Sequence, residues 1–206
     1  MIINPITVWV YILAPTLIYF LKLIGWLYRK VKGKRLAVLG MKGAGKTRFY
    51  RFLQKRPYIE EETAIDDYEE FEYETNDGKT IIIEKGKDIG GSEDYVRPLY
   101  ENIIKDCDIL VFCFDLKRYL SDSTYEKQVN VRFEFVCRKF KELKRSKGNF
   151  VKIASHIDEI KDPKNAIKQF HSLLKKKSYY KEFIYNFFPV DTTNSKDLEQ
   201  IINKIF

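Results

Sequence analysis

The chain has 206 residues, 32% charged and 45% hydrophobic, and a formal net charge of +8. Its three cysteines, Cys107, Cys113 and Cys137, are odd in number and share no metal-ligand spacing, which argues for reduced thiols rather than a disulfide scaffold or a zinc site. The charge does not mark a nucleic-acid binder: residues 1–35 carry six Lys/Arg and no acid, leaving +2 for 36–206.

From Ile6 to Leu21 there is no charged residue, and the apolar run resumes after Lys22 through Tyr28. As a helix this stretch spans about 34 Å, enough for a bilayer core of about 30 Å. Trp9, Tyr11, Trp26 and Tyr28 sit towards its ends, where amphipathic rings favour the interface. A cleaved signal peptide would have a basic start and a shorter apolar core, and neither is present. The spacing therefore predicts a transmembrane helix within residues 1–30, followed by a basic juxtamembrane segment, 31–35. Arg29, Lys30, Lys32, Lys34 and Arg35 crowd the C-terminal flank, so the positive-inside rule places the N-terminus outside and residues 36–206 in the cytoplasm. The same cations suit anionic lipid headgroups.

Arg35 to Leu39 reads as a buried strand. Gly40-Met41-Lys42-Gly43-Ala44-Gly45-Lys46-Thr47 then matches G-x-x-x-x-G-K-[ST], and a helix opens behind it. Glycines let backbone N–H groups wrap phosphate oxygens, and the helix N-terminus adds its positive end. Gly40, Lys42, Gly43, Ala44, Gly45, Lys46, Thr47 and Arg48 are the candidate phosphate contacts. Lys46 is expected on the β- and γ-phosphates and the Thr47 hydroxyl on Mg²⁺. A chance glycine turn is the competing reading, and the strand, helix and Lys-Thr pair argue against it.

An acidic, irregular stretch, Pro57 to Asp67, contains Thr63, either a candidate Mg²⁺ ligand that completes the shell only while a γ-phosphate is present or simply a solvated loop residue. Tyr68–Thr75 and Thr80–Lys87 are predicted strands joined at Asn76-Asp77-Gly78, a hairpin signal. Asp88-Ile89-Gly90-Gly91 follows. Either it is a glycine turn, or Asp88 holds Mg²⁺ through water while Gly91 offers its N–H to a γ-phosphate. Ile109 to Phe114 is a buried strand ending at Asp115, and Asp122 to Arg145 suits a long charged helix. Phe150 to Ala154 is another strand, ending at Ser155-His156-Ile157-Asp158. A carboxylate at Asp158 would accept both donors of the guanine Watson–Crick edge, which adenine lacks; a helix N-cap is the alternative role. Pro163–Lys176 is a helix, Ile184–Val190 the last strand and Lys196–Phe206 the closing helix. Lys175–Lys177 and Arg138–Lys147 read as solvated helix faces rather than nucleic-acid patches. The pattern is α/β: a mostly parallel sheet with one antiparallel hairpin edge and helices around it, ligand sites falling at the carboxyl ends of the strands.

Gly40–Thr47, Thr63, Asp88–Gly91, Ser155–Asp158 and Val190–Thr193 resemble, in order and spacing, the five nucleotide motifs of Ras-superfamily small GTPases. Asp88 through Tyr100, with its double glycine followed by Arg97-Pro98-Leu99 and an aromatic, is most similar to the Arf and Arf-like branch. The layout of a membrane helix before such a domain is similar to the signal-recognition-particle receptor β subunit. The resemblance implies a P-loop NTPase fold with a six-stranded sheet, GTP/GDP and Mg²⁺ as cofactors, and loops that respond to the nucleotide. It implies Lys46 and Gly91 as catalytic contacts, Thr47, Thr63 and Asp88 as metal ligands, and Ser155, His156, Asp158, Thr192 and Thr193 around the base. It also implies a cytoplasmic effector and an activating protein as partners.

Four positions depart from the pattern. Ser92 stands where the family has the glutamine that orients the attacking water, and its hydroxyl is too short for that task. Ser155 and His156 replace the Asn-Lys of the guanine motif; Ser155 is expected to bond to the phosphate loop and His156 to stack on the base. Thr192 takes the place of an alanine whose N–H meets the guanine oxygen. The expectation is a slow GTPase that relies on a partner, with a non-hydrolysing GTP-bound scaffold and an ATP-using P-loop enzyme as the other readings.

Overall fold

The computed structural model describes residues 34–57, 65–74, 80–83, 86–89, 96–143 and 150–206, with the backbone alone at 65–68, 86–89 and 96–99. The chain divides into two units, Met1–Gly33 and Lys34–Phe206. The expected membrane helix, Thr63, the Asn76–Gly78 turn, Gly90, Gly91 and Ser92 lie outside the described residues. Among the described residues no helix is long and apolar enough to cross a membrane.

The described elements run β1 (Leu36–Gly40), α1 (Lys46–Leu53), β2 (Ile65–Tyr68), β3 (Phe71–Glu74), β4 (Thr80–Ile83), β5 (Gly86–Ile89), α2 (Val96–Asp106), β6 (Ile109–Asp115), α3 (Leu116–Ser121), α4 (Ser123–Glu142), β7 (Phe150–Ser155), α5 (Pro163–Leu174), α6 (Tyr180–Ile184), β8 (Phe187–Pro189) and α7 (Ser195–Ile205). β1, β6, β7 and β8 form a four-stranded, wholly parallel sheet in the order β1-β6-β7-β8. Every residue of β1, β6 and β7 is buried. A parallel sheet covered on both faces favours such apolar runs; within β7 Lys152 is the exception, its buried Nζ donating to Phe150 C=O and Tyr185 C=O.

α4 buries Tyr125, Val129, Phe133, Val136 and Phe140, a stripe at three- and four-residue spacing, and Asp122 caps it by accepting from the Thr124 and Tyr125 N–H groups. Phe133 is the hub of the aromatic core. Its ring centroid lies 5.4 Å from Phe112, 5.6 Å from Phe150 and 3.9 Å from Phe183, tying α4 to β6, β7 and α6. The three cysteines are free and buried.

The final strand is shorter than expected. Tyr180–Ile184 forms a helical turn that delivers Phe183, fully buried, to that cluster, and pairing begins only at Phe187. The hairpin is also broken into two pieces. β2 pairs with β5 and β3 with β4, both antiparallel and in one continuous register, Tyr68↔Gly86 and then Phe71↔Ile83. Exposed Glu69 and Glu70 interrupt the outgoing strand. α2 had no counterpart among the expected elements. Pro98 falls in its first turn, where a missing N–H costs no intrahelical bond.

The edge of β1 explains how the hairpin meets the sheet. Arg35 C=O and Met41 N–H point to β6, accepting from Ile109 N–H and donating to Cys113 C=O. Alternate residues point the other way. Lys34 N–H donates to Ile82 C=O, and Lys34 bridges Ile83 in parallel. Further along that edge the partners are two tyrosine hydroxyls. Tyr50 Oη accepts from Val38 N–H (3.2 Å) and donates to Leu36 C=O (3.3 Å), and Tyr100 Oη serves Gly40. The described residues thus form a four-stranded parallel sheet and a hairpin joined to it at Lys34.

Candidate nucleotide-binding site

The carboxyl ends of the parallel strands lie side by side, with Gly40 opposite Cys113, Asp115 opposite Ser155 and Ala154 opposite Pro189. The phosphate-loop residues leave the first of these ends. Gly40 has φ 136°, and a Cβ built on it would lie 1.9 Å from the Cys113 carbonyl oxygen. No side chain fits between β1 and β6 at this point. Gly43 (φ 73°) and Gly45 (φ 80°) are both left-handed, and Gly45 is the N-cap of α1. The first turn of α1 contains no acidic residue, so nothing offsets the positive helix end there. Lys46 is buried and its Nζ donates to Met41 C=O at 2.8 Å, crossing the loop it belongs to. Ala44 is buried, Lys42 and Gly43 are exposed, and Thr47 and Arg48 are half-buried at the start of α1.

Thr192, near the far end of the chain, is brought to this loop. It is buried, and a Cβ on Gly45 would lie 3.1 Å from both its Cγ2 and its Oγ1. The loop that carries it is rigidly held. Asp191 Oδ1 accepts from Thr193 N–H (2.7 Å) and Thr193 Oγ1 (2.6 Å), Asp197 accepts from Asp191 N–H, and Asn194 caps α7. The Thr193 hydroxyl is therefore engaged inside its own loop.

The residues expected at the base are placed differently from one another. Ser155 Oγ donates to Phe114 C=O at 3.1 Å and lies 2.9 Å from His156 Nδ1, so its bond goes to β6 and not to the phosphate loop as expected. His156 adopts φ 59°, and its Nδ1 is 3.7 Å from Asp115 Oδ2. Asp115 Oδ1 caps α3 by accepting from Arg118 N–H, and its own N–H donates to Tyr125 Oη. Burial and the nearby carboxylate push the Tyr125 phenol well up, so it stays protonated. Asp158 lies exposed in the turn after β7, where its carboxylate accepts no hydrogen bond from the described residues. It is not a helix N-cap: Asp162 caps α5 by accepting from Asn165 N–H. Next to it, Lys117 of α3 pairs with Glu159 at 2.6 Å; that bond raises the lysine and lowers the carboxyl, and Asp158 adds to the field on Lys117.

Among the described residues no group of three His, Cys, Asp or Glu side chains forms a metal site. The candidate donors Thr47, Thr63 and Asp88 are hydroxyl and carboxylate oxygens, few in number. This set suits Mg²⁺, which retains waters and takes phosphate oxygens as its remaining ligands. Asp88 is placed in β5, paired with Asp66, on the hairpin strand that packs beside β1.

Sequence reasoning missed two contributors. Tyr100 and Arg132 both reach Gly40 C=O, at 3.1 and 3.2 Å. Tyr100 had stood out only as an aromatic after Arg-Pro-Leu, and Arg132 only as one charge among many on α4. Arg35 was grouped with the lipid-facing cations, but its side chain pairs with Asp108 at 3.3 Å. On α4, Lys139 pairs with Glu101 and Lys141 with Glu182. No protein-family model matches this chain, and no curated protein is significantly similar to it.

Proposed function

We propose that residues 34–206 are a guanine-nucleotide-binding domain of Arf-like type, held at a membrane by the N-terminal apolar helix and facing the cytoplasm. The observation that carries this reading is the junction of Gly45, Lys46 and Thr192. A glycine-shaped loop between a buried strand and a helix N-terminus holds a buried lysine ammonium, and the last nucleotide motif packs against it. Such a site favours a polyphosphate: backbone N–H groups, one cation and a helix end converge, with no acid in the first turn. If the two hairpin pieces are one ribbon laid beside β1, the sheet has six strands with one antiparallel edge, as in a small GTPase. Asp158 is exposed and uncommitted to any described hydrogen bond, as a reader of the guanine edge needs to be.

In this reading Lys46 neutralises the phosphates, Thr47, Thr63 and Asp88 hold Mg²⁺, and the loops at Thr63 and at residues 91–96 differ between triphosphate and diphosphate states. A permanent membrane helix means that the state governs recruitment of a cytoplasmic partner and not membrane attachment. Ser92 lacks the reach to orient water, so hydrolysis is slow and an activating protein supplies the missing group. The same residue favours a second reading, a scaffold that keeps its GTP.

Calorimetric titration of the full-length chain in detergent micelles with GTP, GDP and ATP, each with Mg²⁺, tests the assignment. Tight binding of GTP and GDP with weaker binding of ATP is expected; ATP bound as tightly as GTP sinks the role of Asp158. Single-turnover phosphate release from bound GTP then separates the slow switch from the scaffold, which releases none.

A further inference from the structure

In a loop that cradles an anion through its N–H groups, the carbonyls must turn away, because a C=O facing inward would repel the phosphate. The second carbonyl of this loop, Met41 C=O, is taken by the Lys46 ammonium. The first, Gly40 C=O, is held from outside the loop. Tyr100 Oη donates to it at 3.1 Å and accepts from Gly40 N–H at 3.2 Å, so one hydroxyl grips both polar groups of a single residue. Arg132 Nη1 adds a charge-assisted bond to the same carbonyl at 3.2 Å. Tyr100 is fully buried, and burial raises its phenol above the ordinary range, so the hydroxyl remains a donor. On its other flank Gly40 touches the Cys113 backbone too closely for any Cβ.

The two braces come from different helices. Tyr100 lies in the second turn of α2, which begins directly after residues 90–95; Arg132 lies in the middle of α4. We propose that Tyr100 and Arg132 are positioning residues for the phosphate loop, fixing the Gly40 peptide so that the cradle presents N–H groups, and linking it to the helix that follows the γ-phosphate-sensing segment. This inference rests on the guanine-nucleotide reading. Neither residue touches the nucleotide; both act through Gly40. Because the anchor point is on α2, a shift of that helix moves the start of the loop with it, and nucleotide retention becomes coupled to the position of α2.

The test uses the full-length chain in detergent micelles, loaded with a fluorescent GDP analogue for dissociation rates and with GDP for ³¹P spectra. Tyr100→Phe keeps the ring and removes the hydroxyl, leaving Gly40 N–H unpaired. Tyr119→Phe is the control: it also deletes a buried phenol hydroxyl, one bonded to Asn130 Oδ1 and far from Gly40 in its contacts. Tyr100→Phe is expected to speed GDP release about tenfold and to move the β-phosphate resonance, while Tyr119→Phe leaves both as in the parent chain. Arg132→Gln is expected to act in the same direction with a smaller change, and carries the test if Tyr100→Phe does not fold. GDP release and ³¹P shift unchanged in Tyr100→Phe, or in Arg132→Gln if that alone folds, overturn the proposal while leaving the nucleotide reading intact. A parent chain that binds no guanine nucleotide overturns both.

Discussion

The two ends of the candidate site are built on different principles. At the phosphate end the geometry belongs to the backbone. Gly40, Gly43 and Gly45 hold positive φ values, Gly40 is wedged against Cys113, and Lys46, Tyr100 and Arg132 pin the carbonyls. At the base end the geometry belongs to side chains on turns: His156 in a left-handed conformation, Asp158 exposed, Ser155 committed to Phe114 C=O. A backbone cradle binds any polyphosphate, so it supplies affinity without choice of base. In the proposed reading, choice of base rests on the Asp158 carboxylate, because the Ser155 hydroxyl is used within the sheet. Thr192 on Gly45 is a close contact between the two ends.

Substitutions separate these contributions. The largest effect is expected at Gly40→Ala, where a Cβ would meet the Cys113 backbone at a positive φ. Loss of about 3 kcal/mol or more in urea unfolding is expected, and a variant as stable as the parent would show that β1 and β6 can separate at no cost. Next is Lys46→Ala. GTP, GDP and ATP should all weaken by about 100-fold, some 2.7 kcal/mol, in calorimetry, since the ammonium sees phosphate and not base; a loss confined to one base would contradict the division. Asp158→Asn is expected to do the reverse. The ratio of GTP to ATP affinity should fall about tenfold with the melting temperature unchanged, because the carboxylate is exposed.

The smallest effect concerns pH. Burial, then Lys175, lowers the His171 pKa below the ordinary imidazole value of 6.5. The unfolded chain then binds more protons in acid, so the stabilising contribution is complete above pH 6.5 and is lost as pH falls through the depressed folded value. His171 packs beside Phe187, the first residue of β8. His171→Gln should flatten the acid side of the stability profile while leaving nucleotide affinity at neutral pH unaltered.

Much of the fold was legible because its signals are local. The glycine loop between β1 and α1 is read from spacing, the parallel strands from apolar runs at Leu36–Leu39 and Ile109–Phe114 and from Phe150–Ala154 broken only by Lys152, and α4 from its stripe and the Asp122 cap. The helical turn at Tyr180–Ile184 escaped notice because an apolar run of that length suits strand and helix equally. Its form follows from where Phe183 has to go.

The sequence by itself determined that a strand, a glycine loop and a helix stand in line at Leu36–Leu53, because those propensities act over a few residues. Only the tertiary structure decided the partners of the polar groups. Tyr50 and Tyr100 serve the edge of β1, Ser155 bonds Phe114 instead of the loop, Arg35 pairs with Asp108, and Thr192 comes to rest on Gly45. A hydroxyl or a guanidinium can satisfy any acceptor within its reach. Which acceptor lies there is fixed by how distant elements pack, and no spacing along the chain encodes that.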